Sequence, residues 1–356
     1  MLDAEMREGL RPAGPDGALL SGHRTAADGA RAPSPARERG PVAPVRRPRI
    51  AQDGARLRIG LLDNMPEAAR KATERQFRRL LAEAGRPVDL LLFALADERS
   101  ADGRYAPRHA LADARLDALI VTGCEPRADN LAAEPYFAAL AAVVDWAAEN
   151  TVSTLFSCLA AHAAVLHLDG IARVPLPAKR WGVFSCERAA AHPLLDGAPE
   201  TVPVPHSRWN DLPEAALRAA GYTVLRRSDA VGADLFVREA GSLFVFLQGH
   251  PEYDGDSLAR EHRRDVGRWL ARARADCPPL PENTLAPEAA RRLAHYVERL
   301  SMDPAAYADF PALDPDPPAR AAWQAEAARL FRNWLAEIER RRAPARDPAR
   351  LLATAG

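Results

Sequence analysis

Between positions 57 and 168, short apolar runs alternate with longer amphipathic stretches, and few architectures can bury such a pattern. LRIGLLDNM (57–65) reads as a buried strand closed by the turn signal Asp-Asn-Met-Pro. Residues 67–84 follow, with Phe77, Leu80 and Leu81 at helical spacing among charges and Gly85 as a stop. VDLLLFAL (88–95) and LDALIVTG (116–123) read as further strands, and residues 133–150 as a helix. TVSTLFS (151–157) is a fourth strand that runs straight into the helix CLAAHAAVLHL (158–168). Such alternation predicts an α/β fold: a mostly parallel sheet with helices on both faces.

After Gly170 the texture changes to short, proline-interrupted β segments: WGVFSCE, the region of PHSRWND, GYTVLRRS, ADLFVRE and SLFVFLQGH. These suit antiparallel strands at the sheet edge or in a small layer beside it. Helical patterning returns at 257–275 and again in two amphipathic C-terminal stretches reaching position 341. The first 50 residues hold seven prolines and nine arginines and no Phe, Trp or Tyr. Such a segment cannot bury enough apolar surface to offset its ordering entropy. The expected organisation is a disordered arm over 1–55, a single domain over 56–341 and a frayed tail over 342–356.

Charge excludes some functions. Lys+Arg and Asp+Glu number 48 each, so the chain lacks the positive excess that meets nucleic acid or an anionic membrane surface. No apolar run reaches the ~18–20 residues that span a bilayer, and the acidic, Pro-broken start is not a signal peptide. A cytoplasmic protein is expected, with no nucleic-acid or membrane partner. Cys124, Cys158, Cys186 and Cys277 lie far apart with no CxxC, which disfavours disulfides and structural metal sites. That leaves inert thiols or one catalytic nucleophile.

Cys158 stands between a β-branched strand and an Ala-rich helix, the context of a nucleophile elbow. The helix N-terminus offers unpaired N–H groups, Leu159 among them, that favour a thiolate and can face an oxyanion. A buried cysteine opening a core helix is the plainer alternative. Cys124, in VTGCEPR, also ends a strand but leads into a loop, so no helix dipole activates it. Downstream, SLFVFLQGHPEYD delivers His250 and Glu252, two residues apart and on one side if the segment is extended. With a thiol they would supply nucleophile, base and orienter. His162, one helical turn after Cys158, either touches it or sits at a packed edge, and His206 is a further candidate for lining the site.

These motifs together resemble the homoserine O-acyltransferases of the succinyltransferase type, within the class I glutamine amidotransferase-like (flavodoxin-like) superfamily. The resemblance spans about 57–335 and rests on LDNMP, TERQF, DALIVTG, WAAENTVSTLFSC, PLPAKRWGVF, PHSRWND, QGHPEYD, RRD (263–265) and LFRNWL (330–335) with Trp323. It implies that Cys158 carries the acyl thioester, that His250 accepts the proton and that Glu252 completes the triad. It further implies substrate binding by Lys179, Ser207 and Arg264, the zwitterionic acceptor being suited to a bidentate arginine and a hydroxyl. The family's acyl-donor determinant, Glu with acetyl and Gly with succinyl donors, falls on Arg127 here. The stretch Leu159-Ala-Ala-His162 and a loop after Pro66 longer by two residues also depart from the pattern.

The implied chemistry is ping-pong: Cys158 attacks acyl-CoA, Leu159 and the Gly123 region hold the oxyanion, and L-homoserine takes the acyl group with His250 as base. Thioester exchange is near-neutral and transfer to an alcohol downhill, so neither ATP nor a metal is required; acyl-CoA is a co-substrate and no bound cofactor is expected. Arg127, if it faces the acyl pocket, would pair with the distal carboxylate of succinyl. Acetyl as donor and serine as acceptor stay open alternatives. A glutamine amidotransferase would flank its cysteine with glycines, which this chain lacks, and a non-enzymatic binding module would not need the intact triad. By the same resemblance, helices carrying Trp323 and Trp334 are candidates for a homodimer interface, with core packing the equal alternative.

Overall fold

The computed structural model describes residues 56–96, 100, 102–311 and 317–342. The arm expected over 1–55 lies outside the described residues, as does the expected tail apart from Arg342.

The strands are β1 (Leu57–Asp63), β2 (Val88–Ala94), β3 (Ala106–Pro107), β4 (Ala118–Val121), β5 (Ser153–Ser157), β6 (Val174–Arg188), β7 (Thr201–Asp211), β8 (Thr223–Ser228), β9 (Gly232–Glu239) and β10 (Leu243–Leu247). All belong to one ten-stranded sheet in the order β3-β2-β1-β4-β5-β10-β9-β8-β6-β7. From β3 to β10 the neighbours are parallel, and from β10 to β7 they are antiparallel. The proline-interrupted β segments thus extend the main sheet rather than form a separate layer. β4, β5 and β10 are buried at every position, as strands covered on both faces must be.

The helices are α1 (Glu67–Glu83), α2 (Phe137–Asn150), α3 (Leu159–Asp169), α4 (Glu214–Ala219), α5 (Ser257–Leu270), α6 (Pro287–Leu300) and α7 (Pro317–Arg342). On one face Phe77, Leu80 and Leu81 of α1 and Leu330, Phe331 and Trp334 of α7 pack with Ile59, Leu61, Ile120 and Val245. On the other, α2 and α3 cover Leu119, Val121, Phe156, Phe244 and Phe246. Every residue of α3 from Leu159 to Val165 is buried, and its alanines let the helix lie close to the sheet. α2 begins four residues later than the sequence pattern suggests. Glu134 is turned back to accept the N–H groups of Arg127 and Ala128 at 2.5 and 2.7 Å, so it cannot open the helix.

Core packing claims both tryptophans offered above for a dimer interface. Trp334 donates its indole N–H to Ser153 at 2.8 Å, and Trp323 reaches the Tyr253 carbonyl at 3.4 Å; both are buried within the chain. Among the described residues no helix is long and apolar enough to cross a membrane.

Strand register decides where chemistry can occur. Val121 pairs with Phe156, and Ser157 pairs with Leu247, so the C-terminal ends of β4, β5 and β10 lie side by side at the middle of the sheet. Open α/β sheets bind their ligands outside these ends. The three segments that emerge there carry Gly123, Cys158 and His250.

Candidate active site

Cys158 adopts φ 51° and ψ −113°, a left-handed conformation that a non-glycine residue takes only when its surroundings enforce it. Those surroundings are explicit. Its N–H donates to the Leu247 carbonyl at 2.7 Å, and its own carbonyl accepts from Ala161 at 2.9 Å in the first turn of α3. The chain is pinned to β10 before Cys158 and to the helix after it, so the half-buried thiol stands at the strand-to-helix corner.

Gly123 faces that corner from β4. A Cβ built on it would lie 2.6 Å from Leu159 Cβ, 2.9 Å from Leu159 N and 3.0 Å from Ala160 N. The space in front of the first two amides of α3 exists because residue 123 has no side chain. N–H groups at a helix start have no intrahelical acceptor, so they are available to a developing oxyanion beside the thiol.

His250 follows β10, and its N–H is tied to the Pro205 carbonyl at 2.7 Å. Its Nδ1 lies 2.8 Å from Glu252 Oε1, which leaves Nε2 for the Cys158 thiol, to which the imidazole is hydrogen-bonded. Burial pulls the His250 pKa down, but the neighbouring charges of Cys158 and Glu252 and the hydrogen bonds to both drive it well above the ordinary value. The ring is therefore set to hold a proton beside the Cys158 sulfur. The extended geometry expected for His-Pro-Glu is not what joins His250 to Glu252. The segment is a turn, closed by Tyr253 N–H on the His250 carbonyl at 3.1 Å, and it folds the carboxylate back onto Nδ1. Glu252 is buried, accepts a 3.4 Å bond from Ser157, and among the described residues has no hydrogen-bond partner for Oε2.

Lys179, Ser207 and Arg264, distant in sequence, gather at the middle of α5. Ser207 donates to Glu261 Oε2 at 2.6 Å. Lys179 Nζ lies 3.5 Å from both Glu261 and Asp265 and 4.0 Å over the Trp181 ring. Arg264 pairs with Asp265 at 2.9 Å and is half-exposed. Glu261 and Asp265, one helical turn apart, are the carboxylates around which these residues collect. Sequence reasoning missed them because, flanked by arginines in AREHRRD, they read as ordinary surface charge. Tyr253, directly after the His-Pro-Glu turn, was missed as well: its ring stacks on His250 and its hydroxyl donates to Glu261 at 2.6 Å.

Arg127 is exposed, and what holds its segment is the Glu134 carboxylate on its N–H. A second guanidinium serves the same loop. Arg173 donates to the carbonyls of Ala128 and Asp129 at 2.9 and 3.1 Å, and its Nε is buried with no hydrogen-bond partner among the described residues. It also lies within the electrostatic reach of Cys158. Nothing in its local sequence, DGIARVP, signals this.

The remaining candidates have structural partners. His162 turns to Gln248 at 2.8 Å, and burial, with Arg208 nearby, pushes it down to about 3, so it is a neutral core histidine. His206 is fully buried, with Nε2 3.3 Å from Asp234. Cys186, His206 and Asp234 offer three ligand-type atoms within 4.8 Å of one another, but Arg226 stands 3.1 Å from Asp234 and already supplies its countercharge. Burial lowers His206, while Arg226 keeps Asp234 below its usual range despite its own burial. Burial raises Cys124, whose thiol receives Asn64 at 3.4 Å, and raises Cys186 further.

Comparison with known proteins adds the following. The model of the homoserine O-succinyltransferase family matches residues 41–343. A homoserine O-succinyltransferase from Methylorubrum extorquens is 59% identical, over 80% of this chain and 88% of that protein. One from Rhodopseudomonas palustris is 46% identical, over 79% and 88%. Among solved structures, a glutamine amidotransferase from Methylobacillus flagellatus aligns with 80% of this chain and 95% of that one, at 13% identity and a TM-score of 0.46.

Proposed function

The chain belongs to the homoserine O-succinyltransferase family and is an acyltransferase, and from that premise we propose that its site moves a succinyl group from succinyl-CoA to the hydroxyl of L-homoserine through a thioester on Cys158. The observation that carries the proposal is the elbow thiol beside an imidazole that Glu252 holds by its Nδ1. In the first half-reaction the Cys158 thiolate attacks the thioester carbonyl. Negative charge builds on the carbonyl oxygen in front of the Leu159 and Ala160 amides, in the space that Gly123 leaves. The tetrahedral adduct collapses by breaking the bond to CoA, whose sulfur takes the proton from the His250 imidazolium. His250 is then neutral. In the second half-reaction it accepts the proton of the acceptor hydroxyl as that oxygen attacks the acyl-Cys158, and it keeps that proton while Cys158 departs as the thiolate, so the starting pair is restored. Glu252 stabilises the imidazolium in both.

Acceptor recognition follows the charges of an amino acid. The α-carboxylate would meet Arg264 and Lys179, and the α-ammonium the Glu261 carboxylate, to which Ser207 already donates. For the donor, the distal carboxylate of succinyl requires a cation that acetyl does not. Arg127 is exposed at this loop and Arg173 is half-buried with Nε unpartnered among the described residues, so these two are its candidates. The reading places residues 56–341 in one acyltransferase domain and the enzyme in the cytoplasm, where CoA thioesters and amino acids are available.

Intact-protein mass after brief exposure to succinyl-CoA or acetyl-CoA without acceptor tests the proposal. An adduct of about 100 Da on wild type, absent from Cys158→Ser and discharged by L-homoserine, is the expected result. An acetyl adduct alone would overturn the donor, and no adduct with either donor would overturn the thioester mechanism.

A further inference from the structure

His250 has a neighbour that the triad does not use. The Tyr253 ring lies 4.3 Å from the imidazole, centroid to centroid, and within 17° of parallel to it. This face-on contact fixes the tilt of the ring, which the bond to Glu252 alone does not, because a single bond at Nδ1 leaves rotation about its own axis. The same tyrosine donates its hydroxyl to Glu261 Oε1 at 2.6 Å. Glu261 Oε2 receives Ser207 at 2.6 Å and stands 3.5 Å from the Lys179 ammonium. One rigid side chain therefore bridges the general base and the carboxylate around which the acceptor residues gather. Its anchorage is firm at the backbone too. The Tyr253 carbonyl accepts from Trp323 at 3.4 Å and Arg79 at 3.5 Å, and the ring packs on the cluster of Trp181, Val183, Leu258 and Trp323.

We propose that Tyr253 is a positioning residue that couples the acceptor pocket to the base: its ring aligns His250, and its hydroxyl holds Glu261 where an acceptor ammonium must find it. The inference rests on the acceptor reading of Glu261, Lys179 and Ser207 given above. It follows that the two ends of Tyr253 do separable work. The ring serves both half-reactions, because His250 acts in both. The hydroxyl serves only the second, because only the acceptor meets Glu261.

Tyr253→Phe and Tyr253→Leu in the full chain separate these roles. Acylation of Cys158 by succinyl-CoA is timed by rapid quench and intact mass, and discharge of the preformed acyl-enzyme is timed against L-homoserine concentration. Tyr253→Phe keeps the ring, so acylation stays within about threefold of wild type. Losing one hydrogen bond to a carboxylate raises the homoserine concentration for half-maximal discharge about tenfold, with the maximal rate within about threefold. Tyr253→Leu removes the ring and slows acylation itself by at least about tenfold, an effect that the phenylalanine variant rescues. A Tyr253→Phe enzyme with wild-type dependence on homoserine would overturn the coupling. So would Phe and Leu variants that lose both halves equally, since that is the mark of a merely structural side chain. A failure of the wild-type chain to acylate is a different outcome, visible without any Tyr253 variant: it removes the acyltransfer reading and this inference with it. Should Tyr253→Leu not fold, the phenylalanine arm decides alone.

Discussion

Replacing Gly123 with alanine puts a methyl group into the space before the first two amides of α3. The new Cβ meets Leu159 Cβ at 2.6 Å, Leu159 N at 2.9 Å and Ala160 N at 3.0 Å. Restoring ordinary contact means shifting the start of α3 by about 0.8 Å, on the scale at which misplaced groups cost about 10²-fold. If the shift does not occur, the methyl itself occupies the oxyanion position. Loss of such a donor typically costs about 10²–10³ in rate, or ~2.7–4 kcal/mol of transition-state stabilisation. Both routes predict that acylation of Cys158 by succinyl-CoA slows by at least about 10²-fold, timed by rapid quench and intact mass. Gly85→Ala is the control. That glycine sits at φ +70° with nothing within 4 Å of a built Cβ, so alanine strains the backbone without touching the site. It lowers thermal stability by about 1 kcal/mol and leaves acylation unchanged. A Gly123→Ala enzyme that acylates within about threefold of wild type would refute the assignment of this space to the oxyanion.

Glu252→Gln removes one of the charges that hold His250 high, so the imidazolium loses its proton at lower pH and the alkaline limb of the acylation profile moves down. kcat/KM falls by about 10²-fold, and an unmoved limb would show that Glu252 does not set the base. Arg173→Ala should raise KM for succinyl-CoA about tenfold while sparing acetyl-CoA, with Arg127→Ala compared alongside; donor preference unchanged in both would mean that neither guanidinium meets the succinyl carboxylate. Asp63, raised by burial to about 6 from 3.8, binds a proton more tightly folded than unfolded. Its contribution is fully present below about pH 4 and is lost as pH rises through about 6, by up to ~3 kcal/mol. Urea unfolding from pH 4.5 to 7.5 should therefore show wild type losing stability relative to Asp63→Asn, and parallel curves would sink this assignment.

The alternation of apolar runs and amphipathic stretches was enough to read the parallel half of the sheet, its two helical layers and the strand-to-helix corner at Cys158, because these are properties of consecutive residues. β4 and β10 announce themselves as unbroken apolar runs for the same reason. The tail of the sheet was less legible: segments broken by prolines carry no signal that distinguishes an edge layer from an extension of the main sheet, and only strand pairing settles it. Cys158, His250 and Glu252 could be picked out by motif, yet the contact between the last two arises from a turn, which spacing along an extended strand did not foretell.

What the tertiary structure alone decided is the company each of these groups keeps. Glu261, Asp265 and Tyr253 look like surface charge or filler in sequence, and they come together only where β6, β7 and the His-Pro-Glu turn converge on α5; Arg173 looks the same, and it finds its partners only on the loop of Arg127. Trp323 and Trp334, open to a dimer interface in sequence, are held in the core by hydrogen bonds to Tyr253 and Ser153. Periodicity reports which face of an element is apolar, because that depends on residues a few positions apart. Which charged groups become neighbours depends on the register between strands far apart in the chain, and no local pattern encodes it.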